Sequence, residues 1–371
     1  EGMPRMNPGR PSSAPANRAL GSARAAKQDE FYTQLADIEN ELRHYKPHLR
    51  GKTILCNCDD PFESNFFKYF ALNFNALGIK KLIASTYQGS PVAGLQLPLE
   101  DYAGYQPNGK PALLVEINEV PDLNHDGAVD LLDVQQLLRC DANTSRRLRG
   151  DGAYLAGDFR SPDCIEVLKQ ADIVVTNPPF SLFREYVAQL VEHGKQFLII
   201  GNVNAITYKD IFRLIRADRL WLGPSIHSGD REFRVPDYYP LQAAGYRVDE
   251  NGVKYIRVKG VRWFTNMDHQ RRHESILLFR KYSPVEYPNY DNYDAINVDR
   301  VVDIPGDYPG VMGVPVTFLD RYNPAQFEIL GLAAGNTRGL AGIPTKTGKD
   351  GPYLGGKLKY GRIFVRLKVT L

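Results

Sequence analysis

Cysteine is scarce in this chain, and the few cysteines are poorly placed for a structural framework. The 371 residues contain four, Cys56, Cys58, Cys140 and Cys164. Disulfide-rich domains and zinc sites need several cysteines at short, regular spacings, and the Cys56–Cys58 pair has no second pair of that kind. The sequence therefore predicts a reduced, cytoplasmic protein in which Cys56 and Cys58 are core residues or reactive thiols.

Long apolar runs are also absent. No segment approaches the roughly 20 apolar residues that a membrane-spanning helix requires, and the N-terminus has no hydrophobic signal core. We therefore expect no membrane partner. Residues 1–27 are rich in Pro, Gly, Ser and Ala without an apolar period, which predicts a disordered tail.

An excess of one charge sign is missing as well. The net charge is +3, from 46 Lys and Arg against 43 Asp and Glu, so the total neither requires nor excludes a nucleic-acid partner. The basic residues are nevertheless concentrated locally. Residues 254–281 carry eight Lys or Arg against two acids, and residues 357–371 carry five against none.

Apolar segments alternate with helical patterns through the first 220 residues. Strands are predicted at 52–57, 80–86, 171–177 and 195–202. Helices are predicted between them, including one from Asp29 to about Tyr45 with an apolar face of Leu35, Ile38 and Leu42, and others at 63–78, 161–170 and 183–194. Buried strands separated by single helices are typical of an α/β fold with an open parallel sheet. Beyond residue 220 the pattern predicts a mixed, β-rich region.

The segment "DIVVTNPPFSLF" ends one of these predicted strands with two prolines. The side chain of Asn177 and the carbonyl of Pro178 are neighbouring acceptors, and together they can accept both hydrogens of an amino group. Pro179 stiffens the turn, and Phe180 offers a face for a planar base. This arrangement suits methylation of an exocyclic amine, although the same residues can form a simple turn at the end of a strand.

Several segments together resemble one family. "DEFYTQ", "CNCDDPFESNFFKYF", "GDFRS", "DIVVTNPPFSLFREYV" and "FLIIGNVNAITYKDIF" resemble the EcoRI-type adenine-specific DNA methyltransferases, and the likeness extends from about residue 28 to about 330. The resemblance implies a Rossmann-like fold that uses S-adenosylmethionine to methylate the N6 amine of a flipped adenine in double-stranded DNA. It also implies a bacterial or phage-encoded protein and a cognate restriction endonuclease as a possible partner system.

The resemblance implies roles for particular residues. Asn177 and Pro178 accept the adenine amino hydrogens, and Phe180 stacks on the flipped base. The residues implied to line the methyl donor are Tyr32, Asp59, Asp60, Asp158, Phe159 and Asn177. Asp59 and Asp60 can alternatively cap a helix that begins near Pro61.

The chain departs from the usual pattern at two positions. The segment "CDDPFES" contains no glycine where a Gly-rich cofactor loop is usual, and the strand "KKLIAST" ends without the acid that commonly holds the ribose. Two other functions therefore stay open, a catalytically inactive DNA-binding module and an RNA or protein amino methyltransferase. The predicted organisation is a methyltransferase domain at 28–282 with an insertion at 88–150, followed by a target-recognition region at 283–371.

The insertion contains an EF-hand-like segment, "DLNHDGAVDLLD". Oxygen ligands for calcium fall at five positions of this loop, with Gly127 at the sharp turn: Asp122, Asn124, Asp126, Asp130 and Asp133. The twelfth position is Asp rather than the bidentate Glu, which weakens binding. The alternative is a metal-free turn that starts a helix.

Two groups of residues are candidates for DNA contacts. Trp263, Arg271 and Arg272 lie in the first basic stretch, and Arg338 and Lys346 lie in Gly-rich and Pro-rich loops of the predicted target-recognition region. A base-flipping enzyme must hold phosphates near its active site. The alternative for the basic stretch is a solvated strand face.

Overall fold

The computed structural model describes most of the chain. The described residues are 33–58, 64–86, 112–122, 125, 129, 136–227, 230–235, 246–335 and 339–368. The predicted tail at 1–27 lies outside them. None of the helices within these ranges is both long and apolar enough to cross a membrane.

The described residues contain seven α-helices and seventeen strands. The helices are α1 Leu35–Leu42, α2 Lys46–Leu49, α3 Asn65–Leu72, α4 Phe74–Leu77, α5 Pro162–Gln170, α6 Phe183–Glu192 and α7 Lys209–Arg216. The strands are β1 Thr53–Asn57, β2 Lys81–Ser85, β3 Leu113–Ile117, β4 Thr144–Arg147, β5 Ile173–Thr176, β6 Gln196–Asn202, β7 Trp221–Leu222, β8 Asp230–Arg234, β9 Arg247–Val248, β10 Lys254–Lys259, β11 Val261–Thr265, β12 Ile296–Asn297, β13 Met312–Pro315, β14 Phe327–Ala333, β15 Tyr353–Leu354, β16 Lys357–Leu358 and β17 Arg362–Leu367.

A sheet of eight strands forms the centre of the molecule. Its order is β4-β3-β2-β1-β5-β6-β11-β7. The four middle strands, β2, β1, β5 and β6, are parallel, and antiparallel strands extend the sheet on both sides. The parallel strands β1 and β5 are fully buried. The predicted α/β fold with a parallel sheet is confirmed at this level.

Local signals explain where the helices begin and end. The Ser161 hydroxyl accepts a hydrogen bond from the backbone N–H of Cys164 at 3.3 Å, and Pro162 occupies the first turn of α5. Ser64 caps α3 in the same way. Gly78 ends α4 with φ 66°, a left-handed conformation that glycine adopts without a steric cost.

The predicted helix from Asp29 to Tyr45 is shorter in the structure. Residues 33 and 34 are not helical, and α1 covers only Leu35–Leu42. Ile38 and Leu42 are buried on its inner face as predicted. The predicted insertion at 88–150 also contributes to the central sheet. Both β3 and β4 lie inside it, and β3 pairs with β2 while β4 pairs with β3.

Smaller sheets follow the parallel part of the chain. The strands β8, β10 and β9 form a three-stranded antiparallel sheet. A four-stranded sheet with mixed strand directions consists of β12, β13, β17 and β14. The described residues after 220 are therefore rich in β-strands. One apolar core cluster joins the four-stranded sheet to the central sheet, since it contains both Val174 of β5 and Val365 of β17.

Candidate active site

The candidate site lies at the carboxyl edge of the parallel strands. After β1 the chain crosses to β2 on one side, and β5 pairs with the other side of β1. A crevice forms at such a reversal of strand order, and ligands of open α/β sheets bind there. The two segments that leave this crevice begin at Cys58, after β1, and at Asn177, after β5.

The predicted motif occupies the end of β5. Asn177 is 5% exposed and Pro178 is buried, whereas Pro179 and Phe180 are half-buried. A short 3₁₀ turn at Phe180–Leu182 follows, and α6 begins at Phe183. Two prolines cannot donate ladder hydrogen bonds, so the strand stops here and the motif stays at the edge of the sheet.

The end of β1 is attached to the end of β5. The buried hydroxyl of Thr176 donates to the backbone carbonyl of Asn57 at 3.1 Å. Cys58 follows with φ 100°, in the left-handed region that favours glycine. A non-glycine residue therefore takes up a backbone conformation that a Gly-rich loop adopts at no steric cost.

Asp158 and Phe159 lie just before α5, and Phe159 contacts Tyr186 and Gln189 of α6. The Asp158 carboxylate accepts two side-chain hydrogen bonds from Arg160, at 3.0 and 2.8 Å. It also accepts from the backbone N–H of Arg160 at 2.9 Å. A carboxylate has about four acceptor positions, so about one position on Asp158 is left for a ligand. The ring of Phe159 is 7% exposed, and its backbone carbonyl accepts a hydrogen bond from Gln189 of α6 at 2.9 Å.

Tyr186 connects these segments, and the sequence analysis did not identify it. Its hydroxyl donates to the side-chain carbonyl of Asn57, and its ring lies edge-on to Phe159 with the centroids 5.0 Å apart. Burial, together with the neighbouring Cys58 thiol, raises the pKa of Tyr186 well above its usual value near 10. The hydroxyl therefore stays protonated and acts as a donor at neutral pH.

The pattern of α6 explains why Tyr186 was missed. Phe183, Tyr186, Val187 and Leu190 are buried at helical spacing, which indicates only a core face. The available signal was the hydroxyl itself, because a buried tyrosine usually finds a hydrogen-bond partner.

A buried hydroxyl near the crevice fits a bound methyl donor. Thr33 is 2% exposed, its Oγ1 has no hydrogen-bond partner among the described residues, and its carbonyl accepts from the side chain of Asn65 at the start of α3. A buried polar atom of this kind is satisfied when a polar ligand binds. The neighbouring Tyr32, Asp59 and Asp60, which were predicted to line the donor, lie outside the described residues.

The predicted calcium loop is mostly outside the described residues. Asp122 is described, but Asn124, Asp126, Asp130 and Asp133 are not. Within the part of the chain that the structure describes, no cluster of three or more His, Cys, Asp or Glu is arranged to hold a metal ion. The calcium site therefore stays a prediction.

Trp263 is a core residue, which corrects the prediction that it contacts DNA. It lies in β11 between β6 and β7, it is 0% exposed, and its ring meets Phe66 edge-on at 6.0 Å. All five residues of β11 are buried, so both faces of this strand are covered. Its indole does not reach a ligand at the surface.

Arg272 lies at the other end of the sheet. Because β11 is antiparallel to β6, the residues after its end lie at the amino edge of the parallel strands, away from Asn177. Arg272 forms ion pairs with Asp218 at 2.5 Å and Asp268 at 3.4 Å. Its guanidinium also stacks on an indole ring, so this arginine is a buried structural residue rather than a phosphate contact.

The remaining arginine, Arg271, is half-buried and donates to the carbonyl of Pro224 at 2.9 Å. In the C-terminal region, Arg338 lies outside the described residues. Lys346 is on the surface and forms an ion pair with Asp294 at 2.6 Å.

The comparisons with known proteins agree with these features. Residues 19–368 match the family model described as adenine-specific methyltransferase EcoRI. The chain is 47% identical over 318 residues to the type II methyltransferase M.EcoRI of Escherichia coli, which covers 85% of this chain and 89% of that protein.

Two further relatives come from mycoplasmas. The type II methyltransferase M.MpnI of Mycoplasma pneumoniae is 35% identical across 93% of this chain and 96% of its own length, and M.MgeORF184P of Mycoplasma genitalium is 34% identical across 93% and 97%. A solved structure described as an RNA methyltransferase from Pyrococcus horikoshii is 14% identical across 65% of this chain and 90% of its own, with a TM-score of 0.28. That likeness is too weak to support an argument.

Proposed function

The chain belongs to the EcoRI family of adenine-specific methyltransferases, and from that premise we propose that it transfers a methyl group from S-adenosylmethionine to the N6 amine of an adenine flipped out of duplex DNA. The observation that carries this proposal is the position of the motif. Asn177, Pro178, Pro179 and Phe180 follow β5 at the reversal of strand order, beside the strained end of β1.

Each residue of the motif has a role in the proposed reaction. The Asn177 side chain and the Pro178 carbonyl accept the two hydrogens of the adenine amine, which raises electron density on its nitrogen as the nitrogen attacks. Pro179 limits the motion of this turn. Phe180 is half-buried, so part of its ring can stack on the extruded base.

The methyl donor fits the crevice between β1 and β5. S-adenosylmethionine supplies a methyl group on a positively charged sulfur when it is bound. We assign Asp158 and Phe159 to its pocket from the described residues, with Asn177 at the border between donor and base. Tyr32, Asp59 and Asp60 are assigned to the same pocket from the family resemblance. The unpartnered Thr33 hydroxyl supplies a further polar contact.

The proposed reaction is tested by offering several substrates. Purified protein with tritiated S-adenosylmethionine should label duplex DNA and leave RNA and protein unlabelled. Labelling of RNA or protein instead would support an amino methyltransferase of another class. Donor binding without any transfer would support a DNA-binding module that has lost catalysis.

A target-recognition role is proposed for residues 283–371, with the catalytic domain at 28–282. Sequencing of modified bases in DNA from an expressing host should give one short methylated motif. We also propose that the enzyme belongs to a restriction system. Host DNA should then resist an endonuclease that cuts the same motif, and cleavage of fully methylated sites would contradict this role.

The calcium site is a separate proposal. Calcium binding to the loop at Asp122 should raise the melting temperature, because a ligand that binds only the folded state stabilises it. The double variant Asp122→Ala, Asp126→Ala should lose this shift. Equal melting curves with calcium and with a chelator would favour the metal-free turn.

A further inference from the structure

The end of β1 has an unusual backbone for a residue with a side chain. Cys58 adopts φ 100°, and the segment "CDDPFES" that it begins contains no glycine. Outside glycine this conformation is disfavoured sterically, and it persists only when the surrounding structure holds it. Such residues occur often at ligand-binding sites.

Two buried side chains hold this turn. The Thr176 hydroxyl donates to the Asn57 carbonyl at 3.1 Å, and the Tyr186 hydroxyl donates to the Asn57 side-chain carbonyl. The thiol of Cys58 lies 3.7 Å from the same side-chain oxygen. Both the backbone carbonyl and the side-chain carbonyl of Asn57 are therefore held by hydrogen bonds, one residue before the strained Cys58.

Tyr186 also packs against a segment that is assigned to the methyl donor. Its ring contacts Phe159, and Gln189, one turn later in α6, holds the Phe159 carbonyl at 2.9 Å. The helix that begins directly after the catalytic motif thus positions two segments assigned to the methyl donor. Tyr186 itself is 0% exposed, so it does not contact the donor.

We propose that Tyr186 is a positioning residue for the methyl donor, and that its hydrogen bond to Asn57 holds Cys58 in the conformation that a Gly-rich loop provides in other methyltransferases. This inference rests on the proposed function, since it assigns the turn to donor binding. It explains how the chain can bind a donor without glycine in that loop. Glycine at position 58 would adopt the same φ without support.

The test compares donor affinity in matched variants. Calorimetry with S-adenosylhomocysteine, the demethylated product, measures binding without turnover. Tyr186→Phe removes one buried hydrogen bond and should weaken binding about three- to tenfold. The rate at saturating donor should change less than the donor KM. Tyr287→Phe is the control, because Tyr287 is 5% exposed and its hydroxyl donates to the Asp303 carbonyl, outside the proposed donor site.

A rescue variant separates positioning from packing. Cys58→Gly in the Tyr186→Phe background should restore most of the lost affinity, because glycine needs no hydrogen bond to keep φ positive. If Tyr186→Phe binds the product as well as Tyr287→Phe does, Tyr186 is only a core residue and the inference is wrong. A loss of affinity that Cys58→Gly does not repair would also overturn it. A parent protein that binds no product would instead contradict the proposed function.

Discussion

The two edges of the central sheet differ in how their polar groups are used. At the amino edge, Arg272 is paired with Asp218 and Asp268, and the carboxylate of Asp172 accepts from the backbone N–H of Thr53 at 2.8 Å. In these contacts the polar groups of the edge bind to one another. They contribute to the stability of the fold.

The carboxyl edge combines strain with available hydrogen-bonding capacity. Cys58 has a left-handed backbone, and the buried Thr33 hydroxyl has no hydrogen-bond partner within the part of the chain that the structure describes. A residue in a sparsely populated conformation costs about 1–3 kcal/mol, which the rest of the fold must offset. The same sheet therefore has one edge that stabilises the fold and another that is adapted to bind, a difference that variants at each edge can test.

The largest expected effect is at the carboxyl edge. Asn177→Ala should reduce methyl transfer to DNA about a hundredfold or more, because a positioned hydrogen-bonding group is lost in the transition state. Its affinity for the methyl donor should stay within a few fold of the parent. Substantial turnover by this variant in a tritium-transfer assay would contradict the assignment of the motif.

At the amino edge the expected effect is on stability instead. Arg272→Ala should lower the free energy of unfolding by about 2 kcal/mol, since it removes a buried guanidinium that stacks on the ring of Trp221, whereas Asp218 and Asp268 are about half exposed and stay solvated. Urea denaturation measures this change, and DNA affinity should be unaltered. Arg300→Ala is the control. The side chain of Arg300 is 68% exposed, so its ion pair with Asp303 should contribute under about 1 kcal/mol to stability.

Two buried groups near the amino edge have opposite pH dependence. Burial raises the pKa of Glu41 to about 7 from its usual 4.5, and burial lowers the pKa of His269 to about 4 from its usual 6.5. Both side chains contact Tyr45. Glu41 accepts a hydrogen bond of 2.7 Å from the Tyr45 hydroxyl, and the ring of His269 packs on the Tyr45 ring with the centroids 6.0 Å apart. Between pH 4.5 and 6.5, Glu41 keeps a proton in the folded state that it loses on unfolding, whereas His269 gains one on unfolding. Their contributions to the slope of stability with pH therefore cancel in this window.

Single variants should reveal how each group makes stability depend on pH. In Glu41→Gln, His269 alone remains, so stability relative to the parent should rise with pH from about 4.5 to 6.5 by about 1 kcal/mol per unit. In His269→Gln, the remaining Glu41 should make stability fall over the same range. Parallel pH profiles for the parent and both variants in urea denaturation would show that neither group is perturbed.

The smallest effect on stability is expected on the surface of the C-terminal region. Lys346→Ala breaks an ion pair in which the side chains are 53% and 90% exposed, so stability should change by less than about 0.5 kcal/mol. If this region reads the target, the set of methylated sequences should change. Lys357→Ala removes the same charge from β16 and serves as the control. An unchanged methylated motif in Lys346→Ala would argue against a role for this lysine in recognition.

Local signals were sufficient to predict the parallel part of the fold. The strands β1, β2, β5 and β6 are apolar, and Ser161 and Gly78 mark helix ends by interactions within a few residues. The position of Asn177 at a strand end followed from the same pattern. These features depend on neighbours in the chain, so they can be read without knowledge of distant contacts.

Features that depend on distant contacts were not predicted. The sequence suggested an insertion at 88–150, but it did not indicate that β3 within this segment pairs with β2 and that β4 pairs with β3. The sequence of β11 did not reveal that both of its faces would be buried, so Trp263 was misassigned. The hydrogen bond from Tyr186 to Asn57 joins residues 129 positions apart.

The sequence by itself determined the family, the chemistry of the Asn177 motif and the strand–helix alternation, because each is written in short segments with local physical consequences. Only the tertiary structure decided which polar residues share an edge. The antiparallel direction of β11 sends Arg272 to the amino edge, and the parallel pairing of β1 with β5 brings Cys58 next to Asn177. Strand direction and pairing arise from hydrogen bonds and packing between segments far apart in the chain, and no local pattern specifies them.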